Sequence, residues 1–211
     1  MGKVLKHELA DRYEHHHRQA RSPGFALELS LRADYFATRI GTGKSILDLG
    51  CRDGTMASAY LERNSVTGVD IDRGALERAR AKGLEAVWAD LTEPLPFGDE
   101  SFDAVVAGEV LEHLPYPEPV LREVSRILVP GGLLVGSVPN AFRLKNRLRF
   151  LCGRPPEEDP THLQHFSPGR LSALLSARFT DVEIEFAASR FLALSPRLFG
   201  NAMLFTARLN G

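Results

Sequence analysis

Ile46-Leu47-Asp48-Leu49-Gly50-Cys51-Arg52-Asp53-Gly54-Thr55 is the stretch on which the fold turns. A short apolar run ends in a glycine-bearing loop, and Thr55–Arg63 then continues with helical amphipathicity. In doubly wound folds the crevice beyond the carboxyl end of such a strand is where ligands bind. Outward from it lie Ser45–Leu49, Val66–Val69, Ala86–Trp88, Phe102–Ala107 and Leu133–Val138. Several are apolar at consecutive positions, as strands covered on both faces are. Between them Thr55–Arg63, Arg73–Lys82 and Glu118–Leu128 read as helices, the last placing Val120, Leu121, Val124, Ile127 and Leu128 on one face. Alternating strand and helix predicts an α/β, three-layer, doubly wound Rossmann-like sheet with right-handed crossovers.

The flanking regions differ from this core. Residues 1–44 hold helical segments at Ala10–Arg18 and Leu27–Ile40, split by Ser22-Pro23-Gly24, and are expected to form an N-terminal cap on the 45–140 core. After Pro139 come a basic amphipathic stretch, Ala141–Gly153, and a proline- and acid-rich loop, Arg154–Thr161. The 141–170 region reads as a lid inserted in one domain spanning 1–211. Ser167-Pro168 reads as an N-cap and first helical residue, followed by two strands, Asp181–Phe186 and Met203–Arg208.

Composition excludes several classes. With 26 Lys plus Arg against 27 Asp plus Glu, the chain lacks the basic surplus of a nucleic-acid binder, and none is expected as partner. Cys51 and Cys152 fit no metal-ligand spacing, and no metal is expected. The N-terminus lacks a signal peptide's apolar stretch, no run approaches the ~20 residues that cross a bilayer, and the chain reads as cytoplasmic.

The glycine loop fits a dinucleotide poorly. The G-x-G-x-x-G fingerprint needs glycines at 50, 52 and 55, where this chain has Gly50, Arg52 and Thr55. Asp48 and Asp53 also set negative charge beside any phosphate, which disfavours a nicotinamide oxidoreductase. A cationic ligand without phosphate suits these charges better. S-adenosylmethionine carries a sulfonium, an ammonium and a carboxylate. Asp70 ends the second strand, where its two oxygens match a ribose diol, and Asp90 follows the third, in reach of an adenine amino group. One carboxylate at each of three successive strand ends is far more specific than a glycine loop.

ILDLGCRDG (46–54), VTGVDID (66–72), VWADLTEPLPFGDESFDAVVAGEVLEHL (87–114) and SRILVPGGLLVGSVPN (125–140) resemble, in order, the class I S-adenosylmethionine-dependent methyltransferases, in particular the small bacterial ubiquinone and menaquinone subgroup. The resemblance implies a seven-stranded sheet in order 3-2-1-4-5-7-6 with one antiparallel strand. It implies that Asp48, Gly50 and Gly54 bracket the methionine moiety, that Cys51 belongs to the cofactor-binding set, and that Asp70 holds the ribose. Ile71 would pack on the adenine ring, with Asp90 and Leu91 facing it, and Glu109 would line the sulfonium end. Tyr13 matches an N-terminal tyrosine that in the family often closes over the methionine end. Arg52 departs from the family's middle glycine and puts the loop's backbone path in question.

Methyl transfer to a hydroxyl needs a proton acceptor, and His162 and His165, three residues apart, are the catalytic candidates, with His113 third. His113 reads instead as the end of a short turn, Asp72 as a helix N-cap, and Trp88 as core or pocket wall. On Phe142–Leu151, Leu144, Leu148 and Leu151 share a helical face flanked by cations, which suits a lid or a cap over an acidic or lipid-linked small-molecule acceptor. The expected activity is small-molecule methylation, foremost on oxygen, with S-adenosylhomocysteine as product. The alternative is a non-catalytic accessory protein of the methionine-biosynthesis type with the same fold. The sequence leaves the oligomeric state and the acceptor open.

Overall fold

The computed structural model describes residues 23–156, 159, 161–187, 191 and 193–211. Tyr13 and the helix expected over Ala10–Arg18 lie outside the described residues. In chain order the elements are α1 (Pro23–Ile40), β1 (Ser45–Leu49), α2 (Ser58–Leu61), β2 (Ser65–Asp70), α3 (Arg73–Ala81), β3 (Glu85–Trp88) and β4 (Phe102–Gly108). A 3-10 turn at Leu111–His113 follows, then α4 (Pro117–Ile127), β5 (Leu128–Pro139), α5 (Leu144–Leu151), α6 (Pro168–Ser176), β6 (Phe179–Ala187), α7 (Pro196–Phe199) and β7 (Ala202–Leu209). The sheet has seven strands in the order β3-β2-β1-β4-β5-β7-β6, as expected. Strands β3 to β5 pair in parallel, and β7 runs antiparallel to both neighbours.

Each strand's period of two feeds two cores. Leu47, Leu49 and Val105 face α4 and α6, packing with Leu121, Val124, Leu171 and Leu175. Ile46, Ala104 and Val106 face the opposite layer, with Phe36 and Ile40 of α1, Tyr60 of α2 and Leu76 of α3. Burial on both faces is why these strands are apolar runs without alternation.

Local signals set the helix ends. The Asp72 carboxylate accepts the Ala75 N–H at 2.9 Å at the start of α3. The Ser167 hydroxyl accepts the Arg170 N–H ahead of Pro168. Helix α2 is shorter than the Thr55–Arg63 expected: Ala59 and Tyr60 donate to the carbonyls of Met56 and Ala57, three residues back, so the entry to the helix is wound more tightly than α. Helix α7 lies in the connection between the two last strands.

Helix α5 turns a polar residue inward. Asn146 is buried, its amide donating to the Ala141 carbonyl at 3.0 Å, while Leu148, Phe150 and Leu151 are exposed. Among the described residues, no helix is long and apolar enough to cross a membrane.

Candidate functional site

Strand β1 pairs with β2 on one side and β4 on the other, so the chain's crossovers diverge there and leave a crevice at the carboxyl ends. A cavity of about 360 Å³ opens at this place. Of the residues singled out from the sequence, Asp48, Gly50, Cys51, Asp70, Ile71, Asp90, Leu91, Glu109 and His162 line it.

The glycine loop is anchored to Asp70. The Arg52 N–H donates to Asp70 Oδ2 at 2.9 Å and the Asp72 N–H to Oδ1 at 2.8 Å. Asp70 is thereby held rigid where it lines the cavity. Arg52 takes the left-handed conformation a glycine would take, φ 51°, and the loop's path is thereby kept. Gly54 lies behind the loop: at φ 71° an added Cβ would meet Ala79 at 3.4 Å and Leu84 at 3.5 Å, so its role here is close packing on α3.

Asp48 is buried and accepts the Tyr60 hydroxyl at 2.8 Å. Burial raises its pKa to about 7, the Tyr60 hydrogen bond opposing and the Asp70 charge adding to the rise. Burial likewise pushes the Cys51 thiol up, which makes it an inert part of the wall. Asp90 Oδ1 accepts both the N–H and the hydroxyl of Thr92, at 2.9 and 2.7 Å.

At the other end, Glu109 stands at the end of β4 in a left-handed conformation, φ 57°. Its Oε1 accepts the Ser137 hydroxyl at 2.9 Å and pairs with the Arg32 guanidinium at 3.1 Å. Arg32, from α1, is buried and lines the cavity. The sequence reading missed it, since one cation on an amphipathic helix carries no signal of its destination.

The third wall comes from the 3-10 turn and the segment after α5. Glu112's carbonyl accepts the N–H groups of Leu163 and Gln164 at 2.7 and 2.9 Å, and the Gln164 amide donates to the Pro115 carbonyl at 2.8 Å. His113 Nδ1 lies 3.2 Å from the Thr161 carbonyl. His113 and His162 meet edge to face, centroids 4.8 Å apart. Burial, and next the neighbouring His162, lower the His113 pKa to about 4. Residues 162–167 form no helix, so His162 and His165 do not share a helical face; His165 is exposed and outside the cavity lining. Trp88 is neither core nor pocket wall. It is partly exposed, donates from Nε1 to the Ile71 carbonyl at 2.9 Å, and stacks under Arg73.

The comparisons with known proteins agree with this geometry. A family described as "Methyltransferase domain" matches residues 47–136. The chain is 39% identical over 119 residues to a ubiquinone biosynthesis O-methyltransferase of Alkalilimnicola ehrlichii, covering 52% of this chain and 48% of that protein. Residues 47–136 of this chain thus match a methyltransferase domain. A probable S-adenosylmethionine-dependent methyltransferase of Mycobacterium tuberculosis is 36% identical over 146 residues, 67% of this chain and 50% of that one. The chain thus spans about half the length of these curated relatives. A methyltransferase structure from Archaeoglobus fulgidus shares the fold at a TM-score of 0.67 and 22% identity, over 87% of this chain and 93% of that one. The class I methyltransferase sheet order and the glycine loop between β1 and α2 therefore coincide in this chain.

Proposed function

We propose that the chain transfers a methyl group from S-adenosylmethionine to a hydroxyl of a small molecule. The observation carrying this reading is the set of carboxylates at three adjacent strand ends, Asp48, Asp70 and Asp90, around one cavity. In this reading Asp70 accepts hydrogen bonds from both ribose hydroxyls, with Ile71 against the adenine ring and Asp90 and Leu91 at its edge. Gly50 and Cys51 present backbone to the methionine moiety, and Gly54 fixes the loop behind them. Asp48 faces the ammonium. The Arg32–Glu109 pair supplies one charge of each sign, a match to the zwitterionic end of an amino acid. Tyr13 is assigned to closing over that end.

S-adenosylmethionine supplies an electrophilic methyl on a sulfonium leaving group. The chain's part is alignment of acceptor oxygen, methyl carbon and sulfur, which is worth a large share of the rate. His162, in the wall opposite the carboxylates, acts on the acceptor hydroxyl so that it attacks as an oxyanion; His165, outside the cavity, does not touch it. The names of relatives such as the Alkalilimnicola protein support oxygen as the methylated atom. The 45–140 core binds the cofactor, while 1–44 and 141–170 supply the acceptor side.

The test is labelled-methyl transfer with panels of small phenols, alcohols and amines, together with S-adenosylhomocysteine binding by calorimetry. Asp70→Ala should weaken binding strongly; His162→Ala should lower turnover with binding nearly unchanged. Unchanged affinity in Asp70→Ala would place the ribose elsewhere. Tight binding without transfer to any acceptor would favour the accessory-protein reading.

A further inference from the structure

We propose that Glu112, His113 and His162 form a divalent-cation site in the acceptor wall, and that the cation activates the acceptor hydroxyl. The proposal deepens the O-methylation reading and rests on it for the cation's role, though not for its binding.

Three observations carry the site. One ligand atom from each of Glu112, His113 and His162 lies within 4.8 Å of the other two. Glu112 is only 1% exposed, and among the described residues neither carboxylate oxygen has a hydrogen-bond partner. Burying a carboxyl group with both oxygens unanswered is costly, and a cation between it and the imidazoles answers both. Finally, His113 Nδ1 meets the Thr161 carbonyl at 3.2 Å. That contact fixes Nδ1 as the donor and leaves the lone pair on Nε2, the arrangement by which metal-bound histidines are oriented.

The surroundings favour positive charge. Glu109 and Asp159 line the same cavity as the two imidazoles. The two imidazoles line the cavity and Glu112 sits behind them, so the remaining coordination positions open toward the acceptor. Two imidazoles and one carboxylate suit zinc and its first-row neighbours better than magnesium. Ligand distances of about 2.0–2.2 Å need donors closer than the 4.8 Å separation, so binding draws the three side chains together.

Coordination would lower the acceptor hydroxyl's pKa, as it does for water. The hydroxyl proton goes to solvent, the oxygen forms the bond to the methyl carbon, and the C–S electron pair returns to sulfur. His162 then acts as a ligand holding the cation, without itself taking the proton.

The experiment uses the full chain, stripped with EDTA and desalted. Zn²⁺, Mn²⁺ and Mg²⁺ are titrated separately by calorimetry, and Co²⁺ is followed by visible absorption. We expect one Zn²⁺ per chain and a Co²⁺ spectrum, with affinity reduced about tenfold or more in Glu112→Gln and in His162→Ala. S-adenosylhomocysteine binding, measured on the same samples, should stay within a few-fold of wild type and reports folding. No stoichiometric ion binding by the wild type, or equal affinity in both variants, overturns the site. Turnover that survives EDTA overturns the cation's role while the methyltransferase reading stands. Ion binding without S-adenosylhomocysteine binding leaves the site standing and removes the reading it serves.

Discussion

Arg52 and Glu109 show what single residues carry at this site. Both line the cavity and both hold the left-handed backbone that glycine adopts without cost. Such conformations cost about 1–2 kcal/mol each and persist where the surrounding structure over-determines them. At Arg52 that surrounding is the Asp70 carboxylate, which holds the backbone N–H. Replacing Arg52 with glycine should therefore raise stability by about 0.5–1 kcal/mol in urea denaturation; a loss would mean the side chain's contacts outweigh the strain. Asp48 predicts a pH dependence. Its folded pKa of about 7 lies above the ordinary 3.8. The folded chain thus keeps a proton that the unfolded chain has released, and this residue's contribution makes stability fall as pH rises between those values. Binding of an ammonium needs Asp48 ionised. Calorimetric affinity for S-adenosylhomocysteine should be flat above pH 7 and weaken about tenfold per unit below it, an effect of protonating one site. Asp48→Asn should bind weakly with that slope removed. An identical slope in the variant would assign the titration to another group.

At the scale of elements, legibility followed burial. Strands β1, β2 and β4 were readable because helices cover both faces, so the sequence carries unbroken apolar runs, and Asp48, Asp70 and Asp90 stand out against them. The caps Asp72 and Ser167 were readable because a cap is a contact within four residues. The surroundings of helix α5 were not legible, because its period names a face without naming what that face meets. Leu148 and Leu151 point outward while Leu144 is half-buried, and the polar Asn146 packs inward through the Ala141 carbonyl. Arg32 and His113 were undervalued for the same reason: their places depend on α1 and residues 161–164 folding over the sheet. Helix α5 offers a direct check of this arrangement. Asn146→Ala should cost about 1–3 kcal/mol, since it strips a partner from a buried site, whereas Leu151→Lys should change stability by no more than about 0.5 kcal/mol. A large loss in Leu151→Lys would put the leucine face against the protein.

Over the whole molecule, a formal charge of −1 conceals two unlike regions. Carboxylates gather in the cavity wall, at Asp48, Asp53, Asp70, Asp90, Glu109 and Asp159, and α5 carries Lys145, Arg147 and Arg149 with no acid. Helix α1 ties the assembly across the sheet, with Arg32 on Glu109 at one end and Arg39 on Glu183 and Glu185 of edge strand β6 at the other. A cavity so rich in carboxylates favours a ligand that carries an ammonium and no phosphate over a polyanionic one, and the contrast is measurable without an acceptor. At about 100 times its dissociation constant, S-adenosylhomocysteine should add about 2.7 kcal/mol of stability. For a chain of this length that is a rise in melting temperature of roughly 5–11 °C. NAD⁺ at the same concentration should produce almost none, because its pyrophosphate would face Asp48 and Asp53 with Arg52 where the fingerprint needs a glycine. Asp70→Ala should lose most of the shift, and it should also lower the ligand-free melting temperature, because the Arg52 and Asp72 N–H groups lose their acceptor. A larger shift with NAD⁺ would return the crevice to dinucleotides and make the carboxylates at the strand ends structural.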